Sequence, residues 1–197
     1  TMIIPFQMRS DAIKVVPKIL QSEVIPLAIE YVEIKEIRES AEHINEKWPV
    51  QVGEVQLIII LTSKSDEELL SDCESISEIC RENNAVDAMI AETREEQERI
   101  LRIRSNLYTA LKPKVVDILD VTVPPSSLGD LVDAVNTIAE KYGVNLPVYG
   151  HAGDGNLHIH IMREEDKGID YISKLRMDIY NAGLRMGGTI TGEHGIG

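Results

Sequence analysis

The chain has 197 residues, 20 Lys+Arg against 33 Asp+Glu for a formal net charge of −13, and 43% hydrophobic residues of which few are aromatic. A balance this acidic repels phosphate backbones and anionic headgroups, which argues against nucleic-acid and polybasic membrane binding. The apolar content excludes a disordered chain, asks for a mainly aliphatic core, and at this length leads to an expectation of one compact domain over 1–197.

In chain order, the hydrophobic period predicts a helix at about 10–21, a strand at Leu27–Glu33 and a helix at about 36–47. A strand at Glu54–Leu61 follows, containing the longest apolar run, Leu57–Leu61, far below the ~20 residues of a membrane helix. Ser65 and Glu68 form a capping box ahead of a helix at 66–83. On it Leu69, Cys73, Ile76 and Cys80 share one stripe, and the cysteines, two turns apart, read as core rather than as a disulfide. Next come a strand at Ala85–Ala91, a helix at 94–111 and a strand at Val115–Val121. Ser127 with Asp130 opens a helix at 127–142 that Gly143 stops. Strands at Leu146–Tyr149 and Asn156–Met162, a helix at 168–185 and a short strand at Thr189–Thr191 complete the chain. The first thirty residues are charged throughout, so no signal peptide is expected, and the chain is placed in the cytoplasm, at most peripheral to a membrane.

Alternating strands and helices would suit a parallel sheet, but "LAIEYVE" and "NLHIHIM" alternate in polarity as one-sided antiparallel strands do. The expected class is therefore α+β, with ferredoxin-like antiparallel sheet or sheets covered by helices, and two ferredoxin-like halves as one form of it.

Four of the five histidines fall after residue 150. Asp154-Gly155 suits a type I′ hairpin turn, which would set His151 directly across from His158, close enough for two imidazoles to share an ion. Period two then places Leu157, Ile159 and Ile161 on a core face and Asn156, His158, His160 and Met162 on the other. The alternative is a solvated polar face without chemistry. The closing "TGEHGIG" adds Glu193 and His194 between glycines. Two histidines and a carboxylate make a three-ligand set with open positions, and an uncoordinated His194 would be a natural base. On the helix near 100, Arg104 borders the apolar stripe of Ile100, Ile103, Leu107 and Leu111. There it either snorkels or presents a guanidinium fork to a substrate carboxylate.

"GHAGDGNLH" at 150–158 followed by "GGTITGEHGIG" at 187–197 resembles the carboxy-terminal part of FAD-linked oxidases of the vanillyl-alcohol-oxidase superfamily, in the branch of D-lactate dehydrogenases and the glycolate oxidase flavoprotein subunit. "IPLAIEYVE", the Arg104 helix and "DVTVPPSSL" add weaker likeness. The resemblance implies a cap domain beside a separate FAD-binding domain absent from this chain. It also implies a divalent metal, Zn, Mn or Fe, held by His151, His158 and Glu193, with His194 as catalytic base. Arg104 and His160 are assigned to the substrate, and Asn156 and Gly195 to the cofactor FAD. His160 departs from the proline or asparagine that such relatives often carry beyond "NLH". The implied function is oxidation of a small 2-hydroxy acid, D-lactate first, by hydride transfer to FAD. The alternatives are a glycolate oxidase subunit and a non-catalytic ferredoxin-like module. The expected partners are the hydroxy acid, the chain's own FAD domain and an electron acceptor or partner subunit, with a homodimer allowed. Ending inside a motif and starting at Thr1, the chain is expected to be a fragment that does not turn over alone.

Overall fold

The computed structural model describes residues 1–164 and 170–194. The chain, expected as one unit, divides by internal packing into two compact units, Thr1–Pro113 and Lys114–Gly197.

The first unit runs β1 (Met2–Phe6), α1 (Arg9–Leu20), β2 (Ala28–Glu33), α2 (Ile34–His43), β3 (Val55–Ile60), α3 (Asp66–Arg81), β4 (Met89–Ile90), α4 (Arg94–Ser105) and α5 (Leu107–Leu111). Its antiparallel strands lie in the order β4-β1-β3-β2, the ferredoxin-like order, with α2 inserted between β2 and β3. The sequence pattern missed β1 because Pro5 reads as a strand breaker. Pro5 is tolerated because β4 pairs only with Met2 and Ile3, and the Pro5 carbonyl accepts from Val86 N at 2.8 Å. The strand expected at Ala85–Ala91 shrinks to β4 and one bridge, Phe6 to Ala85. The helix expected at 94–111 breaks at Asn106 into α4 and α5. Ser65 caps α3 as expected, its side chain accepting from Glu68 N, whereas Glu68 turns back to Lys64 N instead of closing the box; Thr93 and Glu96 form the complete capping box, on α4. Cys73 and Cys80 are buried free thiols on α3.

This unit also buries carboxylates. Glu33, 6% exposed, accepts from Arg9 Nη2 at 2.8 Å and from Tyr31 Oη at 3.3 Å. Burial pushes its pKa from 4.5 up to about 8 against the opposing Arg9 charge. The folded value lies above the unfolded one, so the folded state keeps a proton that the unfolded state releases. The resulting stability is fully present below about pH 4.5 and is lost as pH rises through 8. Glu36, with Oε2 buried and without a hydrogen-bond partner among the described residues, shifts the same way. Glu33→Gln is expected to flatten the decline in Tm over that window by an equivalent of a few kcal/mol, since each pH unit separating the folded and unfolded pKa values is worth about 1.4 kcal/mol. An unchanged slope would mean that Glu33 stays ionised throughout.

The second unit runs β5 (Val115–Thr122), α6 (Leu128–Tyr142), β6 (Val148–His151), β7 (Asn156–Met162) and α7 (Asp170–Arg185). The strand order is β6-β7-β5, all antiparallel. Thr189 and Thr191 bridge to Thr122 and Asp120, so residues 189–191 occupy the fourth-strand position beside β5 and complete a second ferredoxin-like set. The α+β class holds, as two such halves. The expected cap at Ser127 does not form: Pro125–Ser127 is a 3-10 turn and Ser127 makes no side-chain capping bond. Gly143, at φ 58°, does end α6. The first two residues of the helix expected at 168–185 lie outside the described residues.

One face of β7 is core, with Leu157, Ile159 and Ile161 at most 1% exposed, and Leu131 and Val135 of α6 and Leu175 and Ile179 of α7 are equally buried. The opposite face, read from sequence as either a functional or a solvated surface, is not solvated: Asn156 and His158 are 5% exposed and His160 is 0%. Alternation reports which face a residue occupies, not what covers that face.

Candidate functional site

The site begins at the β6–β7 hairpin. The type I′ turn does not form; Ala152–Asp154 is a 3-10 turn closed by Gly155 at φ 73°. A Cβ at Gly155 would run into the Val123 carbonyl, so only glycine fits this corner. The longer loop shifts the register by two residues: His151 faces Asn156, and Tyr149 faces His158. A shift of two preserves the face. His151 and His158 therefore still meet, diagonally, with ring centroids 5.7 Å apart at 87°.

The other half of the site arrives on the segment after Thr191. Glu193 Oε1 lies 3.0 Å from His158 Nε2, 3.4 Å from His151 Nε2 and 3.3 Å from His194 Nε2. Three imidazoles thus converge on one carboxylate oxygen. His158 is almost buried, whereas His151, Glu193 and His194 are 33%, 50% and 63% exposed as side chains, so the cluster opens on one side. Burial lowers the His158 pKa, although Asp120 and Glu193 pull it up, and favours a neutral ring with a lone pair to give.

Behind the cluster stands Asp120 of β5, 6% exposed. Its Oδ2 accepts the backbone N–H of Glu193 at 2.8 Å and of His194 at 2.7 Å. Its Oδ1 accepts from Asn156 Nδ2 at 2.6 Å and stands 3.7 Å from His158 Nδ1. Desolvation alone would raise the Asp120 pKa, but the three N–H donors and His158 outweigh it and hold the carboxyl below its ordinary value. Asn156 Nδ2 also donates to Thr122 Oγ1 at 2.7 Å, and its Oδ1 is buried with no hydrogen-bond partner among the described residues. Gly192 packs so tightly that a Cβ would collide with Asn156 Nδ2 and Thr122 Oγ1.

The structure brings His151, His158, Glu193 and His194 together and sets Asn156 one step back, through Asp120. His160, on the same face as His158, is outside the group that meets Glu193 and stacks on Tyr149 at 4.6 Å and 22°, with neither ring nitrogen hydrogen-bonded among the described residues; Tyr149 also meets His158, at 5.8 Å. Burial lowers its pKa to about 4, so it is a neutral ring. Arg104 belongs to the first unit, where Nε and Nη2 donate to Glu30 Oε2 at 3.1 and 2.6 Å. It does not snorkel: the guanidinium is turned on the chain's own carboxylate, Glu30. Gly195 lies outside the described residues. Asp120 and Tyr149 went unnoticed as site residues. A carboxylate at the centre of the apolar run "ILDVTV" was the available signal, since a buried charge is kept only where partners hold it.

His151, His158 and Glu193 offer two imidazole nitrogens and a carboxylate oxygen, all within 4.8 Å of one another, a donor set that fits a divalent cation with N and O preference. The second ferredoxin-like half thus carries an N,O donor set with a further imidazole, His194, beside it.

The chain belongs to the family described as FAD linked oxidases, C-terminal domain, whose profile matches residues 1–197. It is 32% identical over 194 residues to D-lactate dehydrogenase of Archaeoglobus fulgidus, covering 98% of this chain and 42% of that protein. It is 31% identical over 192 residues to glycolate oxidase subunit GlcD of Bacillus subtilis, covering 94% and 40%. The chain thus spans about two-fifths of the length of these curated relatives. Among solved structures, p-cresol methylhydroxylase with substrate bound superposes at a TM-score of 0.64 with 10% identity, over 96% of this chain and 44% of that one. Alkyldihydroxyacetonephosphate synthase gives 0.55 with 18% identity, over 96% and 39%. At these identities the likeness is one of fold. No helix among the described residues is long and apolar enough to cross a membrane.

Proposed function

We propose that this chain is the substrate- and cation-binding part of an FAD-dependent D-2-hydroxyacid dehydrogenase, with D-lactate as the first substrate. The observation that carries the reading is the convergence of His151, His158 and His194 on Glu193 Oε1. The D-lactate dehydrogenase relative supports it, and the GlcD relative favours a second reading, a glycolate oxidase flavoprotein subunit working with partner subunits.

In either reading His151, His158 and Glu193 hold a divalent cation, and Zn, Mn and Fe all suit the donor set. When bound, the cation supplies Lewis acidity toward the substrate hydroxyl, and FAD supplies the hydride acceptor. His194, beside that set but not required to complete it, takes the hydroxyl proton as the C2–H electron pair departs as hydride and the carbonyl forms. His160 and Tyr149 wall the substrate side, and Asn156 Oδ1 is a buried acceptor suited to a flavin N–H. Gly195 is assigned with it. Arg104 is assigned to the substrate carboxylate, a role that requires it to exchange Glu30 Oε2 for the substrate. Arg104→Lys is expected to raise KM about tenfold with little change in kcat, the loss of one charge-assisted hydrogen bond of roughly 1.5 kcal/mol. An unchanged KM would remove Arg104 from the substrate site.

The test is flavin bleaching in the complete flavoprotein on adding D-lactate, L-lactate or glycolate, with and without a chelator. Bleaching by D-lactate that the chelator abolishes supports the proposal. A stronger response to glycolate favours the second reading, and no response to any hydroxy acid overturns both.

A further inference from the structure

We infer that Asp120 is the positioning residue of the site: one buried carboxylate docks the Glu193-His194 segment against the histidine hairpin and so sets the cation ligand and the base together. The inference rests on the proposed function for the roles of Glu193 and His194, but the docking itself stands on the contacts of Asp120. Three donors from two separate stretches end on this side chain, two consecutive backbone amides from the terminal segment and the Asn156 amide from β7. Its own backbone carbonyl accepts a fourth, Gly192 N, at 3.3 Å.

The arrangement is directional. A carboxylate accepts only, so Asn156 must present its NH2 to Asp120, which leaves its Oδ1 turned away as an acceptor with no partner among the described residues. Both amides at 193 and 194 point at one oxygen, which fixes the peptide plane between them and hence the directions in which the two side chains leave. Asp120 Oδ1 is also the acceptor on the side of His158 Nδ1, at 3.7 Å, beyond hydrogen-bond distance, and that nitrogen has no hydrogen-bond partner among the described residues. A histidine that gives Nε2 to a cation keeps its proton on Nδ1, and a carboxylate on that side is the usual orienting partner. Asp120→Ala would orphan two adjacent amides and the Asn156 NH2 in a buried place, and water or a displaced backbone would replace the docking.

The complete flavoprotein, stripped of metal, is the material for the test, with Zn²⁺ affinity read by competition against a chromophoric chelator and amide exchange read at Glu193 and His194. Asp120→Ala is expected to speed exchange at those amides about tenfold or more and to weaken Zn²⁺ binding about 10- to 100-fold, the usual effect of losing an orienting partner. Asp120→Asn keeps an acceptor for the amides but sets NH2 against NH2 at Asn156. The exchanged pair Asp120→Asn with Asn156→Asp restores donor to acceptor, and it is expected to return amide exchange at 193 and 194 to within about threefold of the parent and to recover part of the lost Zn²⁺ affinity, the carboxylate facing His158 Nδ1 being gone. Recovery in the exchanged pair ties the effect to donor–acceptor matching at this carboxylate and not to lost bulk. Should Asp120→Ala fail to fold, the comparison of Asp120→Asn with the exchanged pair decides. Unchanged exchange at 193 and 194 in Asp120→Ala, or an exchanged pair no better than Asp120→Asn, overturns the assignment. A parent protein that takes up no Zn²⁺ would instead defeat the proposed cation site, and amide exchange would still judge Asp120.

Discussion

His158→Ala is expected to leave the complete flavoprotein without its cation and without 2-hydroxyacid oxidation. His158 is the buried member of the donor set, 5% exposed, and its Nε2 makes the shortest approach to Glu193, at 3.0 Å. Removing it takes one ligand of three and leaves Glu193, Asp120 and His151 facing a void. Loss of an orienting partner alone weakens a metal site about 10- to 100-fold, so loss of a ligand should exceed the upper figure. The checks are metal content after dialysis and the rate of flavin reduction by D-lactate. His151→Ala is the companion variant: its ring is one-third exposed, so truncation leaves little cavity and separates ligand loss from packing damage. Near-normal reduction by both variants would remove the cation from the mechanism, while loss in His158→Ala alone would point to packing.

How much of this was readable beforehand follows from what each signal encodes. Period two in "NLHIHIM" placed His158 and His160 on one face correctly, because alternation is a property of the strand itself. The partner opposite His158 was misread, because register is set by the loop, and Asp154-Gly155 takes part in a 3-10 turn rather than a two-residue turn. The error was harmless to the site because it was two residues and not one. Burial of His160 against Tyr149 could not be read, since Tyr149 sits on another strand and its cross-strand neighbour depends on that same register. Glu193 and His194 were legible as chemistry from their glycine setting. The carboxylate that docks them, Asp120, lies more than seventy residues earlier, and period and spacing carry no information at that range. Arg104 was legible as an unusual cation, whereas Glu30 as its partner was not, for the same reason.

His194→Gln is expected to behave differently from either ligand variant, and that contrast tests the division of labour. His194 lies 3.3 Å from Glu193 Oε1 and its ring meets that of His158 at 5.3 Å, so by distance alone it could serve as a ligand. Two features set it apart: it is the most exposed of the four, at 63%, and the other three complete a donor set without it. A base needs a ring that reaches substrate, and a ligand needs one that is held. Glutamine preserves bulk and polarity but takes no proton at neutral pH. Metal content should therefore stay at the parental level while kcat falls about 10²- to 10⁴-fold, the range for a lost general base. The acidic limb that an essential base imposes on the kcat/KM profile should disappear with it. If His194→Gln sheds the cation as His158→Ala does, His194 is a fourth ligand, and the proton must then pass to a group outside this chain or to water.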